Sequence, residues 1–125
     1  MSRFTDHKIA YLTGERRLGR IATVGGDGTP HVAPVGWSYN AEQDAIDVGG
    51  RRLERTKKYR DVGHSRRAAF VVDDLASTDP WRPRGIEIRG RAEVLSDPPL
   101  IRIHPNRVVS WGLSDDRLAS RSTLP

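Results

Sequence analysis

The chain has 125 residues, four histidines, no cysteine and a formal net charge of +5. That length gives one domain with a modest core. The lack of thiols rules out disulfides, zinc–thiolate centres and thiol catalysis, and no apolar run approaches the ~20 residues of a membrane-spanning helix. Charges interrupt the apolar pattern of the N-terminal MSRFTDHKIAYL, so no signal peptide is expected there, and a cysteine-free chain fits the cytoplasm. The basic balance suits phosphate ligands, nucleic acid or an acidic partner, and alone selects none of them.

In chain order, Thr5 to Leu12 reads as a short helix. Thr5 or Asp6 can cap it, Ile9 and Leu12 share a face, and Gly14 can end it. Leu18 to Val24 (LGRIATV) reads as a strand, and Asp27-Gly28 in the following GGDG marks a hairpin. The return strand runs from Pro30 to Tyr39. Pro34 within it calls for a sheet edge, a bulge or a strand end, because proline donates no amide hydrogen bond. Asn40 to Asp44 is a turn, and Ala45 to Gly49 a third strand.

Leu53 to Val62 is predicted as a helix. Its register puts Leu53, Thr56, Lys57 and Arg60 on one side, so Lys57 is expected to face the body and Lys58 the water. Ala68 to Val72 is a compact strand, and Asp73 to Arg84, with Pro80 and Pro83, reads as a loop. Gly85 to Leu95 alternates cleanly. Ile86, Ile88, Ala92 and Val94 take one face; Glu87, Arg89, Arg91 and Glu93 take the other. Pro98-Pro99 breaks it, and residues 101–111 (IRIHPNRVVSW) form the last strand or a bent pair. Residues 113–125 form a polar tail, and the whole of 1–125 is expected to be one domain with its core in about 4–112. Six strands, short helices and hairpin connections without βαβ alternation predict a mainly β fold, a small antiparallel barrel with peripheral helices.

The positive charge is concentrated. Between Arg51 and Arg67 stand eight Lys/Arg against Glu54 and Asp61. Such a run is either a solvated helix face or an anion site. For the second, Gly49 and Gly50 permit close approach of backbone amides, and Arg55 and Lys57 supply a forked and a point donor. Nucleic acid is a weaker fit, since only Tyr59 interrupts the run and a single-strand platform needs stacking faces. His31 stands alone on its strand as a structural residue or a catalyst. His7, His64 and His104 have no second ligand at metal spacing, so no metal site is expected. Ser38, Ser65 and Ser110 lack the glycines of a nucleophile elbow. Any reaction must then draw its chemistry from a bound cofactor.

In the order LGRIATVGGDGTPHVAPVGW, AIDVGG, LERTKKYRDV, RAAFVVDD, RGIEIRGRAEVL, the chain resembles the split β-barrel flavin-binding family whose namesake is pyridoxamine 5′-phosphate oxidase. The resemblance covers roughly residues 4 to 112. The closing IRIHPNRVVSWG is similar to the actinobacterial branch that uses the deazaflavin F420. The resemblance implies a six-stranded antiparallel split barrel, a homodimer, and a cofactor, F420 or alternatively FMN, in the groove between subunits. The implied activity is hydride transfer between that cofactor and a small electron-poor organic substrate. A non-catalytic F420/FMN-binding protein and an FMN-dependent oxidase-like enzyme are the alternatives.

By the same resemblance, His31, Ala33, Pro34, Val35 and Gly36 would lie along the ring, and Val48, Gly49 and Gly50 by the ribityl chain and phosphate. Arg55, Thr56 and Lys57 match the family's phosphate-binding region in position. Arg51, Arg52 and Lys58 are candidates for the acidic tail of F420. From the second subunit, Trp81 to Arg84 and Trp111 would approach the ring. Trp111, Arg117 and Arg121 echo the spacing of the oxidase's cofactor and substrate residues. Two departures stand out. Only SDPPL separates Leu95 from Ile101, where many relatives carry a helix, and the oxidase's longer C-terminal substrate region is largely missing.

Overall fold

The computed structural model describes residues 2–113. Helix α1 spans Asp6–Thr13, with Thr5 as the N-cap accepting from Lys8 N. The strands are β1 (Gly19–Val24), β2 (Pro30–Val35), β3 (Trp37–Asn40), β4 (Ala45–Val48), β5 (Arg67–Thr78), β6 (Trp81–Ser96) and β7 (Pro99–Trp111), and helix α2 spans Lys57–Ser65. The strands form one sheet in the order β2-β1-β5-β6-β7-β4-β3, with every neighbouring pair antiparallel.

The strand count is seven, not six, because the predicted Pro30–Tyr39 strand breaks at Gly36. That break shapes the molecule. β2 is one edge of the sheet and β3 the other, so Gly36 is the corner through which a single stretch of chain ties the two edges together. Gly49 N donates to Gly36 O at 3.3 Å across this corner. The sheet curls as a split barrel, as expected. Pro34 sits on the edge strand that its missing amide required.

The inward faces of the strands supply the core. Phe70, Ile86, Ile88, Ile101 and Ile103 are essentially without solvent contact, and each alternates with an outward polar or small residue. The predicted alternation of Gly85–Leu95 holds, with Ile86, Ile88 and Ala92 buried and Val94 packed against the core.

Two predicted boundaries change. Asp73–Arg84 is not a loop: β5 and β6 continue through it as a paired ribbon whose last pair is Thr78 and Trp81. Its residues are mostly wet on both faces, so no apolar period marks it as strand. The predicted Leu53–Val62 helix is instead a 3-10 turn at Leu53–Arg55 followed by α2, with Thr56 as the cap between them. Thr56 Oγ1 donates to Leu53 O at 2.6 Å and accepts from Tyr59 N at 3.3 Å. A Thr side chain offers the N-cap acceptor that Leu53 lacks. Among the described residues, no helix is long and apolar enough to cross a membrane.

Candidate functional site

Two side chains of α2 fix its place over one end of the barrel. Tyr59 hydroxyl donates to Leu95 O on β6 at 2.7 Å. Thr23 Oγ1 on β1 donates to the buried Asp61 Oδ2 at 3.0 Å. The first turn of α2 is thereby set against the β1–β2 hairpin, and a groove of about 230 Å³ opens between them. It is lined by Ile21, Thr23, His31, Val32, Ala33, Thr56, Lys57 and Lys58.

The groove is cationic. Lys57 Nζ donates to Asp61 Oδ1 at 3.2 Å, while its side chain stays half exposed. Burial works to raise the Asp61 carboxyl, but the bonds from Thr23 and Lys57 and the charge of Lys57 outweigh it and hold it below the usual range. At the hairpin, Gly25 N donates to Thr29 O at 2.9 Å, and Thr29 N donates to Asp27 Oδ1 at 2.9 Å. That backbone bond is the first reason the Asp27 carboxyl lies below its ordinary value. Gly25 has no side chain where one would intrude. A Cβ there would stand 3.3 Å from Lys57 Nζ and 3.5 Å from His31 Nε2. The ammonium and the imidazole at this rim suit a phosphate, while the Asp27 carboxylate, whose Oδ1 would stand 3.4 Å from the same Cβ, opposes one.

A second depression, of about 390 Å³, lies at the β2–β3 corner. Gly36, Trp37, Ser38, Gly49, Gly50 and Leu100 are among its lining residues. The Trp37 indole donates to Arg17 O at 2.8 Å, which fixes the start of β3. Asp47 below it is clamped by Arg102, whose Nε and NH2 reach Oδ1 and Oδ2 at 2.8 and 3.2 Å.

The structure brings together His31, Ala33, Thr56 and Lys57 at the α2 groove, and Gly36, Gly49 and Gly50 at the corner. Pro34 is exposed on the same edge strand, while Val35 and Val48 point into the core. Lys58, expected to face water, lines the groove beside Lys57. The helix starts at Lys57, and its first turn presents both lysines to β2. Thr56 lines the groove, but its hydroxyl is committed to capping. Arg55 stands exposed on the 3-10 turn, outside the lining of the groove.

Trp81, Arg84 and Trp111 are elsewhere. They lie beyond the Gly19 end of β1, whereas the groove is at the Val24 end. Trp81 is 68% exposed on the outer ribbon, whereas Trp111 is buried against Gly85. Arg84 is held by Asp74 through two bonds, Nε to Oδ1 and NH2 to Oδ2. Arg117 and Arg121 lie outside the described residues.

Sequence reasoning missed Thr23, Gly25 and Asp61. The signal for Asp61 was present: it stands four residues after Lys57, the spacing of neighbours on one helix face.

Residues 5–112 match the family described as pyridoxamine 5′-phosphate oxidase. The chain is 39% identical over 123 residues to the 5a,11a-dehydrotetracycline/5a,11a-dehydrooxytetracycline reductase of Streptomyces rimosus, covering 90% of this chain and 86% of that one. Among solved structures, an F420 reductase is similar with a TM-score of 0.64 at 21% identity, over 79% of this chain and 94% of that one. A FAD-binding protein from Mesorhizobium loti is similar with a TM-score of 0.64 at 18% identity, over 86% of this chain and 93% of that one. At such identities the two structures share the fold.

Proposed function

Because the chain belongs to the pyridoxamine 5′-phosphate oxidase family, we propose that it is an oxidoreductase that binds the deazaflavin F420 and reduces a small electron-poor acceptor such as an enone or imine. The observation that carries this reading is the groove where Lys57 and Lys58 face His31 and Ala33 of the edge strand. It sets a phosphate cradle beside a strand free to receive a flat ring. The 39% identical relative, named as a reductase of dehydrotetracyclines, supports reduction as the reaction class.

When bound, the reduced deazaflavin supplies the hydride. The chain's own residues orient and shield. Lys57, Lys58 and the first turn of α2 hold the phosphate. The edge from His31 to Gly36 would lie along the ring and exclude water from one side. Gly49 and Gly50 would back the ribityl chain at the corner depression, with Val48 buried behind them. Arg55, with Arg51 and Arg52, all exposed near this end, meets the carboxylates of the cofactor tail.

The active unit in this reading is a homodimer in which the second copy covers the ring. Val32 at 71% and Trp81 at 68% exposure are large apolar side chains left for such a cover. Of Trp81, Arg84 and Trp111, assigned to the second copy, Trp81 has the surface to serve. Within its own chain Arg84 already holds Asp74, and Trp111 is buried.

Fluorescence titration of the purified protein with F420 and with FMN tests the cofactor. Binding of F420 is expected well below ~100 μM, about −5.5 kcal/mol; no binding of either ligand at that level would overturn the reading. FMN shares the ribityl phosphate, so a preparation that purifies yellow would move the assignment to FMN. Oxidation of reduced F420 by a panel of enones separates an enzyme from a carrier: binding without turnover would leave only cofactor storage.

A further inference from the structure

The cofactor reading leaves a carboxylate beneath the groove without a task. Asp61 is 5% exposed, and Thr23, which holds one of its oxygens, is 2% exposed. Its other oxygen accepts from Lys57 Nζ. Among the described residues no further side chain donates to it. Lys57 therefore stands between a fixed negative charge below and the groove above, with His31 Nε2 and the Asp27 carboxylate on the same rim. A buried charge is poorly screened and is felt further than one at the surface. An anion arriving at Lys57 meets the attraction of the ammonium together with the repulsion of Asp61 below and of Asp27 at the rim.

We propose that Asp61 is an affinity-setting residue: it positions Lys57 Nζ at the mouth of the groove and offsets part of its charge, so that a phosphate-bearing ligand is held reversibly. This rests on reading the groove as the phosphate site. A cofactor that must leave to be re-reduced elsewhere needs such a limit on affinity, whereas a permanently held group does not. Thr23 fixes the carboxylate from the side of the sheet, so α2 cannot turn it away from Lys57 without breaking the bond to β1.

The test uses inorganic phosphate as the probe, followed by the amide shifts of Thr56, Lys57 and Lys58 and the ring shifts of His31. Asp61→Asn keeps the shape, keeps an oxygen for Lys57 and can donate to Thr23 Oγ1, while removing the charge. Phosphate affinity is expected to rise about five- to tenfold at low salt, with the gain shrinking as salt is added. Thr23→Val, which keeps the charge, is expected to give no rise. A purely structural Asp61 would produce weaker binding or none of this gain, and unchanged or lowered affinity in folded Asp61→Asn overturns the proposal.

Should that variant fail to fold, Lys57→Gln/Asp61→Asn leaves no buried charge unpaired and carries the same comparison. It binds phosphate more tightly than Lys57→Gln alone if the proposal holds, and no more tightly if it does not. A wild type whose groove signals ignore phosphate overturns both this and the phosphate reading. If phosphate behaves as described but F420 and FMN do not bind, the cofactor assignment fails alone. If F420 binds and Asp61→Asn shows no tightening, the role of Asp61 fails alone.

Discussion

Asp74 grips the Arg84 guanidinium side-on, Nε to Oδ1 at 2.7 Å and NH2 to Oδ2 at 3.0 Å. The same carboxylate accepts from Arg17 Nε at 3.1 Å and from the Tyr11 hydroxyl at 2.9 Å. One acid thus joins α1, the approach to β1, β5 and β6. The Arg84 bond, ahead of those from Tyr11 and Arg17, holds the Asp74 carboxyl well below its ordinary value. Burial, then the bond to Asp74, pushes the Tyr11 hydroxyl up.

Asp74→Asn is therefore expected to lower stability by about 2 kcal/mol at neutral pH, the loss of a partly buried, multiply bonded ion pair. A carboxyl whose folded value is depressed contributes stability above its unfolded value, about 3.9. That contribution fades as pH falls toward the folded value. Urea unfolding of both proteins from pH 7 downward checks this: the gap should be constant to about pH 5 and narrow below about pH 4. A gap that widens in acid would reverse the sign.

Gly90 faces the bulge of β7, where the pairing steps from Arg89–Arg107 to Gly90–Pro105. A Cβ at Gly90 would sit inside contact distance of His104 O and of Asn106 N, both backbone atoms that cannot swing away. Gly90→Ala should lose about 3 kcal/mol or more through forced separation of β6 and β7. Gly63→Ala, with open space around its Cβ, serves as the control and should gain a few tenths to about 1 kcal/mol in its helix. Thermal unfolding of the pair distinguishes them.

Arg66 closes α2 in the left-handed conformation, φ 59°, and its N donates to Val62 O at 2.9 Å. Its strain is about 1 kcal/mol or a little more, partly offset by the added chain entropy of glycine when unfolded. Arg66→Gly should gain about 0.5 kcal/mol by denaturant unfolding, with the bond to Val62 O and the one from Ala92 N to Arg66 O at 2.9 Å retained. A loss instead would mean that the guanidinium contributes more than the backbone strain costs.

How much of this could be read from residues alone depended on whether a local period existed. The alternation from Ile86 to Val94 and the Thr5 cap each have a short-range physical cause, and both stand in the structure. The ribbon from Asp73 to Arg84 has no such cause: it is held by pairing across β5 and β6, and its prolines and polar residues look like a loop. The split at Gly36 is likewise a matter of closure, since only the return of β3 to the far edge forces a corner there. At the site, helical register places Lys57 over Asp61, but Lys57 is exposed and Lys58 the less exposed of the two. The part played by Asp61 was not legible, because it looks like one more surface acid until Thr23, 38 positions earlier, is brought over it. A helix beginning at Leu53 would put Lys58 in water; the Thr56 cap moves that start to Lys57.

Gly25 tests the groove without touching its charge. The residue is buried, and its N and O are held by Thr29 and Gly28 at 2.9 Å each, bonds that a side chain would leave in place. The space over its Cα is bounded by Lys57, Asp27 and His31. Gly25→Val fills that space and should weaken F420 and phosphate at least about tenfold, about 1.4 kcal/mol. Because no charge is removed, the dependence of binding on salt should keep its slope, whereas Lys58→Ala should weaken binding and flatten the slope. Calorimetric titration at three salt concentrations separates the two effects. Unchanged affinity in Gly25→Val would show that the anion does not sit over Gly25, and would move the cradle toward Arg55 and the corner at Gly49.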